Sequence, residues 1–162
     1  MSVLEPKDIA EVVEVTDDTA YRLFAASNKG LALMPEEYGE KKELLLKSDG
    51  GDFTKWLRAA HPSMPVVVQG QTPKLVLRSG DYWLPLVFLA SDIALPVYLN
   101  IVANYLYEKM KGALKNDPTR VHLSVVYEDK ESGKVKRFNF EGDTEALQKA
   151  VKKLDLNKFL NQ

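Results

Sequence analysis

The chain contains no cysteine. That absence excludes disulfides, thiolate zinc sites, iron–sulfur clusters and a cysteine nucleophile. Histidine is almost as scarce, with His61 and His122 as the 2 copies among 162 residues. No H-x-H or H-x-x-x-H spacing joins them, so neither a histidine metal centre nor any cofactor is expected. Phosphate loops are missing as well. Gly50-Gly51 lacks the Gly-Lys-Ser/Thr ending, and no G-x-G-x-x-G or G-x-S-x-G occurs.

Charge of one sign is also absent. Lys and Arg number 22 against 23 Asp and Glu, a formal net charge of −1. Nothing in that balance draws nucleic acid as a general partner. The opening residues Met1-Ser2-Val3-Leu4-Glu5-Pro6 show no basic region followed by an apolar run, so no secretory signal is expected. The most apolar stretch, residues 83–107, is interrupted by Pro85, Asp92, Pro96 and Asn100. It falls short of the roughly 20 uninterrupted apolar residues of a spanning helix. A cytoplasmic protein without a membrane span is the expectation.

What is present reads as globular. Apolar residues make up 45% and charged residues 28% of the chain, enough for one hydrophobic core over residues 1–162. The N-terminal part reads as helical. Asp17 or Asp18 can cap a segment holding Tyr21, Leu23, Phe24 and Ala25, with Gly30 ending it. A second helix is expected from Pro35, with Glu36 and Glu37 at its positive end, through Leu44, Leu45 and Leu46 to Gly50. Asp52 can cap a third, whose Phe53, Trp56, Leu57 and Ala60 share one face.

Pro62 and Pro65 then break the helical pattern. Val66-Val67-Val68 and Leu75-Val76-Leu77, separated by Gly70-Gln71-Thr72-Pro73, suggest a small hairpin or two neighbouring strands. Gly80-Asp81 reads as a turn. Within 83–107, Trp83 to Ala90 is a nearly continuous apolar run. A long helix follows from Pro96, with Val97, Ile101, Val102, Tyr105 and Leu106 on one side and Lys109, Lys111 and Lys115 at its end. Whether 83–107 forms one helix or two is open at this stage.

The C-terminal part alternates cleanly. Val121, Leu123, Val125 and Tyr127 take turns with His122, Ser124, Val126 and Glu128, a strand with one face on the core. A polar turn at 129–134 leads to Val135–Phe140, so a β-hairpin is expected. Asp143 can cap a final helix carrying Leu147, Ala150, Val151 and Leu154. Helices and strands do not alternate regularly, which gives the α+β class with a largely antiparallel sheet.

Candidate chemistry is thin. His61 and His122 are the possible general bases, because imidazole titrates near neutral pH. Asp92 falls in the most apolar segment, where burial would suit an acid or base; it or Ser91 can instead cap a helical turn. Asn100 and Asn104 lie one turn apart and can face a cleft or solvent. Glu128-Asp129-Lys130 resembles the acid-x-lysine element of metal-dependent nucleases. Its middle residue is charged and it abuts a turn, which favours a solvated loop. Lys134, Lys136 and Arg137, interleaved with Phe138 and Phe140, resemble a nucleic-acid-binding strand, offset by Glu128, Asp129 and Glu131.

No chemistry is assembled by these patterns. The expected function is therefore a non-catalytic protein-interaction or accessory domain that binds a protein partner or its own copy. Trp83, Phe88, Tyr98, Tyr105 and Tyr107 are the aromatic supply for an interface. Two alternatives stand beside it: a hydrolytic enzyme built from His61 or His122 with Asp92, and a nucleic-acid binder using the C-terminal hairpin.

Overall fold

The structure is a computed structural model, and it describes residues 8–38, 43–47, 50–69, 74–75, 81–111 and 120–160. Residues 37–38, 43–47, 50, 74–75 and 154–160 are described by their backbone alone. Expectations resting on Gly70–Pro73, Val76-Leu77, Gly80, Lys115 and the Leu154 side chain lie outside the described residues.

The elements run β1 (Ile9–Glu14), α1 (Thr19–Ser27), β2 (Leu31–Met34), β3 (Glu36–Tyr38), β4 (Glu43–Lys47), α2 (Gly50–Ala60), β5 (Val66–Val68) and β6 (Lys74–Leu75). There follow β7 (Tyr82–Leu89), α3 (Leu95–Met110), β8 (Val121–Asp129), β9 (Lys134–Gly142) and α4 (Thr144–Leu160). A six-stranded sheet has the order β1-β9-β8-β7-β2-β5, and a three-stranded sheet the order β3-β4-β6. The class is α+β. The large sheet is mixed, because β7 and β8 run parallel through the α3 crossover and β2 pairs parallel with β5.

The strand register sorts side chains onto two faces. Leu31, Leu33, Val87, Leu89, Leu123, Val125, Phe138 and Phe140 share one face, and it packs under Phe53, Leu57, Tyr98, Leu99, Val102, Tyr105, Leu106, Leu147 and Val151 of α2, α3 and α4. Burying a Leu- or Phe-sized side chain in such a layer contributes about 1.5–3 kcal/mol. The opposite face carries Ala32, Leu86, Phe88, Val126 and Val135 beneath Tyr21 and Phe24 of α1. Further along that face, Trp83, His122, Ser124, Arg137, Asn139 and Glu141 replace the apolar set.

The C-terminal hairpin and helix follow the alternation. β8 and β9 pair from Val121↔Gly142 to Asp129↔Lys134, and Gly133, at φ +70°, closes the turn. Asp143 caps α4, its Oδ1 accepting from the Ala146 N–H at 2.7 Å. In α2, Phe53 and Leu57 are fully buried while Ala60 is exposed.

The N-terminal part differs from expectation. The first described element is a strand, and between Pro35 and Gly50 the described residues form β3, β4 and only the first residue of α2. Three adjacent leucines between Glu43 and Lys47 hold no helical period, and a short apolar run bounded by charge suits a strand equally. Asp18 precedes α1 but caps nothing with its side chain, bonding Arg22 instead. Gly30 lies beyond the Asn28 C-cap, at the entry to β2. The two short central strands form no hairpin, since β5 joins β2 and β6 joins β4 in different sheets. Residues 83–107 are neither one helix nor two: Trp83–Leu89 belongs to β7, and the helix spans Leu95–Met110. Buried on both faces, β7 needs no alternation, so its apolar run carries no strand period. β8 is likewise covered on both faces from Val121 to Val126.

Candidate functional site

The parallel register of β7 and β8 sets Trp83 beside His122. Their rings stack with centroids 3.7 Å apart and planes within 1°. The Nε2 atom of His122 lies 3.1 Å from Asp81 Oδ2. A carboxylate only accepts, so Nε2 carries the donated proton in the neutral ring. Nδ1 is buried, makes no hydrogen bond among the described residues, and faces Glu141 Oε1 at 3.4 Å. Each ring nitrogen of His122 thus faces a carboxylate, and the indole of Trp83 lies flat against the ring.

Among the described residues no nucleophile reaches this imidazole. The Ser124 hydroxyl donates to Asn139 Oδ1 at 2.8 Å, and the same oxygen accepts from Arg137 Nε at 2.8 Å. Asn139 Nδ2 donates to Glu11 at 3.3 Å, and Arg137 Nη2 donates to Glu36 at 3.2 Å. These groups line a cavity of about 380 Å³. The hydroxyl, amide and guanidinium are each engaged in fixing β1, β8, β9 and the start of β3 to one another. The arrangement is a cross-strand tether and lacks the hydroxyl-to-imidazole contact of acyl-transfer chemistry.

The catalytic candidates are not brought together. His61 closes α2, its ring edge-on to Trp56 at 5.8 Å. Asp92 is exposed, and its Oδ1 accepts from the Gly30 N–H at 2.9 Å. The helix cap expected of Asp92 is therefore replaced by a bridge between chain segments, and α3 begins after Ala94 with no side-chain cap. His122 and Asp92 sit at opposite ends of the eight-residue β7, roughly 20 Å apart at about 3.3 Å per residue. Asn100 and Asn104 face solvent. Among the described residues, no group of three or more histidine and carboxylate side chains could hold a metal.

The aromatic candidates divide. Phe88, Tyr98 and Tyr105 are core residues at 9%, 0% and 1% exposure, which removes them from any surface. Phe53 meets Tyr105 edge-on at 4.9 Å, and burial pushes the Tyr98 hydroxyl far above its usual range. Trp83 is covered by His122, and Tyr107 alone of the five is largely exposed.

The hairpin cations each face a carboxylate. Lys134 lies 3.6 Å from Glu14, Lys136 2.6 Å from Asp129, and Arg137 3.2 Å from Glu36. The Lys136 hydrogen bond holds the Asp129 carboxyl below the usual carboxylate range, helped by the Glu131 N–H and Ser132. Phe138 and Phe140 point into the core instead of forming a stacking platform. Glu128 and Asp129 are the last two residues of β8 and half-buried, so of the three only Lys130 lies in the exposed turn.

Sequence reasoning missed the edge strand. All six residues of β1 are exposed, and Ile9, Val12 and Val13 keep 39%, 45% and 42% of their surface. Among the described residues its one strand neighbour is β9. Val12 also lines a groove of about 480 Å³ whose apolar wall is Tyr21, Ile93, Leu95, Pro96 and Tyr127. The β-branched residues of Ile9-Ala10-Glu11-Val12-Val13-Glu14 were the available signal. The adjacent valines break the alternation that would have exposed it.

No protein family, curated protein or solved structure matches this chain.

Proposed function

We propose that this chain is a non-catalytic interaction module that receives an extended segment of another protein along β1. One observation carries the reading: a sheet edge with three large β-branched side chains exposed and no strand on its outer side among the described residues. An edge of this kind is a template for a further strand, and proteins that do not use it guard it with charged side chains, lysine above all, with proline or with a bulge. β1 carries two such charges, Glu11 and Glu14. Ile9–Glu14 contains neither lysine nor proline, and its ladder with β9 is regular. The other edge, β5, is only three residues long. Strand addition at β1 supplies backbone hydrogen bonds, and the groove beside Val12 supplies a pocket for a side chain. The module is read as one α+β domain working in the cytoplasm, which a cysteine-free composition permits.

The test is partner capture by the wild-type chain and by a Val12→Lys variant. Val12 is nearly half exposed, so the substitution is expected to change stability by no more than about 0.5 kcal/mol. A partner held by the wild type and lost by Val12→Lys, with the melting curve unchanged, supports the reading. Capture that is indifferent to Val12→Lys and to Val13→Lys overturns it. The enzyme and nucleic-acid alternatives gain no supporting observation from the positions of His61, His122, Asp92 and the hairpin cations.

A further inference from the structure

Resting on the strand-addition reading, we infer that the incoming segment is basic, with two apolar residues flanked by lysine or arginine. The inference comes from the order of side chains on the exposed edge. Glu11-Val12-Val13-Glu14 places its two carboxylates on opposite faces of the sheet, because successive side chains alternate. The register confirms the sorting: Glu11 lies opposite Asn139, and Glu14 opposite Lys136. Between them Val13 shares a face with Glu11, and Val12 shares a face with Glu14 and opens onto the groove.

Directly opposed side chains on neighbouring strands interact, favourably when charges differ and unfavourably when they match. A strand laid along β1 therefore meets a carboxylate, two valines and a carboxylate in turn. Its complement is a cation, two apolar residues and a cation. The pattern reads the same in either direction, so it suits a parallel or an antiparallel partner. The partner residue beside Val12 lies on the groove side, where Leu95, Pro96 and Tyr127 offer apolar surface.

Existing contacts leave this demand in place. Glu14 has Lys136 opposite it on β9 and Lys134 at 3.6 Å. Lys136 is held by Asp129 at 2.6 Å, and the Glu14–Lys134 pair is more than half exposed on both sides and open to exchange. Glu11 accepts only from the neutral Asn139 amide among the described residues, at 3.3 Å. Charge also argues against a second copy of this chain as the occupant. β1 holds no lysine, arginine or histidine, so two β1 strands would add carboxylates from each copy to one ladder with no cation between them.

The experiment uses the full chain and three blocked peptides with identical flanks, centred on Lys-Val-Val-Lys, Ser-Val-Val-Ser or Glu-Val-Val-Glu. Binding is read by fluorescence polarisation, and the native mass of the chain is measured alongside. The Lys-Val-Val-Lys peptide is expected to bind, about tenfold more tightly than the serine peptide for two exposed ion pairs. The preference should fade at about 1 M salt, where the screening length falls to about 3 Å. Glu11→Lys with Glu14→Lys should invert it in favour of Glu-Val-Val-Glu.

Other results overturn the inference in distinguishable ways. If all three peptides bind alike and Val12→Lys abolishes binding, strand addition stands and the basic partner falls. A dimeric chain that becomes monomeric with Val12→Lys and takes up no peptide makes a second copy the occupant. A monomer that binds none of the peptides, with partner capture insensitive to Val12→Lys, removes both readings.

Discussion

At the scale of single residues, Gly30 shows how little room the fold leaves at one junction. It sits at φ +79°, and an added Cβ would lie 2.0 Å from the Pro65 carbonyl oxygen. That oxygen accepts the Leu31 N–H, while the Gly30 carbonyl accepts from Ala90 and its N–H donates to Asp92. Gly30→Ala is predicted to destabilise the protein by about 2 kcal/mol or more, read by denaturant unfolding. Asp92→Asn, which keeps an acceptor, should cost less than Asp92→Ala.

Tyr21 gives a second residue-scale prediction. Burial pushes its hydroxyl up to about 12, and it donates to the Leu89 carbonyl at 2.6 Å. An ordinary tyrosine ionises near pH 10, so the unfolded chain loses this proton first. Stability should fall as pH rises from about 10 to 12, and Tyr21→Phe should flatten that part of the curve. Asp129 has the opposite sign. Its folded carboxyl is held low by Lys136, so its contribution is present above about pH 4 and is lost as pH falls through the folded value. Asp129→Asn is predicted to remove about 0.5–1 kcal/mol of that acid-side dependence, read from melting temperature against pH.

At the scale of elements, the legible parts were those whose pattern is local. The β8–β9 hairpin announced itself by alternation about Gly133, and α4 by Asp143 ahead of Leu147 and Val151. Asp143→Ala is predicted to cost about 1 kcal/mol of stability by freeing the Ala146 N–H, measured by denaturant unfolding. β7 was illegible because a strand buried on both faces and a buried helix share the same unbroken apolar run. Leu44-Leu45-Leu46 failed for the same reason, having no period to arbitrate between β4 and a helix. His122 was visible as a residue, yet its partners Asp81 and Glu141 were not, because they arrive through the β7–β8 and β8–β9 pairings. Asp92, the carboxylate singled out by its apolar neighbours in sequence, lies in the turn after β7 and accepts from the Gly30 N–H.

At the scale of the whole molecule, helices cover the central strands of the large sheet, and among the described residues no strand lies beyond β1. Three helices cover one face, and α1 with the Trp83–His122 tether occupies the other. Among the described residues no helix is long and apolar enough to cross a membrane. The proposed docking surface consists of the exposed β-branched side chains of β1 and the groove beside Val12. Amide hydrogen exchange across Ile9–Glu14, on the free protein and on its captured complex, probes that edge directly. Alternate amides of β1 bond to β9 and alternate ones face outward in an antiparallel edge strand. Strand addition predicts fast exchange at the outward amides of the free protein and protection of all of them in the complex. Unchanged exchange along β1, with new protection confined to another surface such as the cavity around His122, would contradict it.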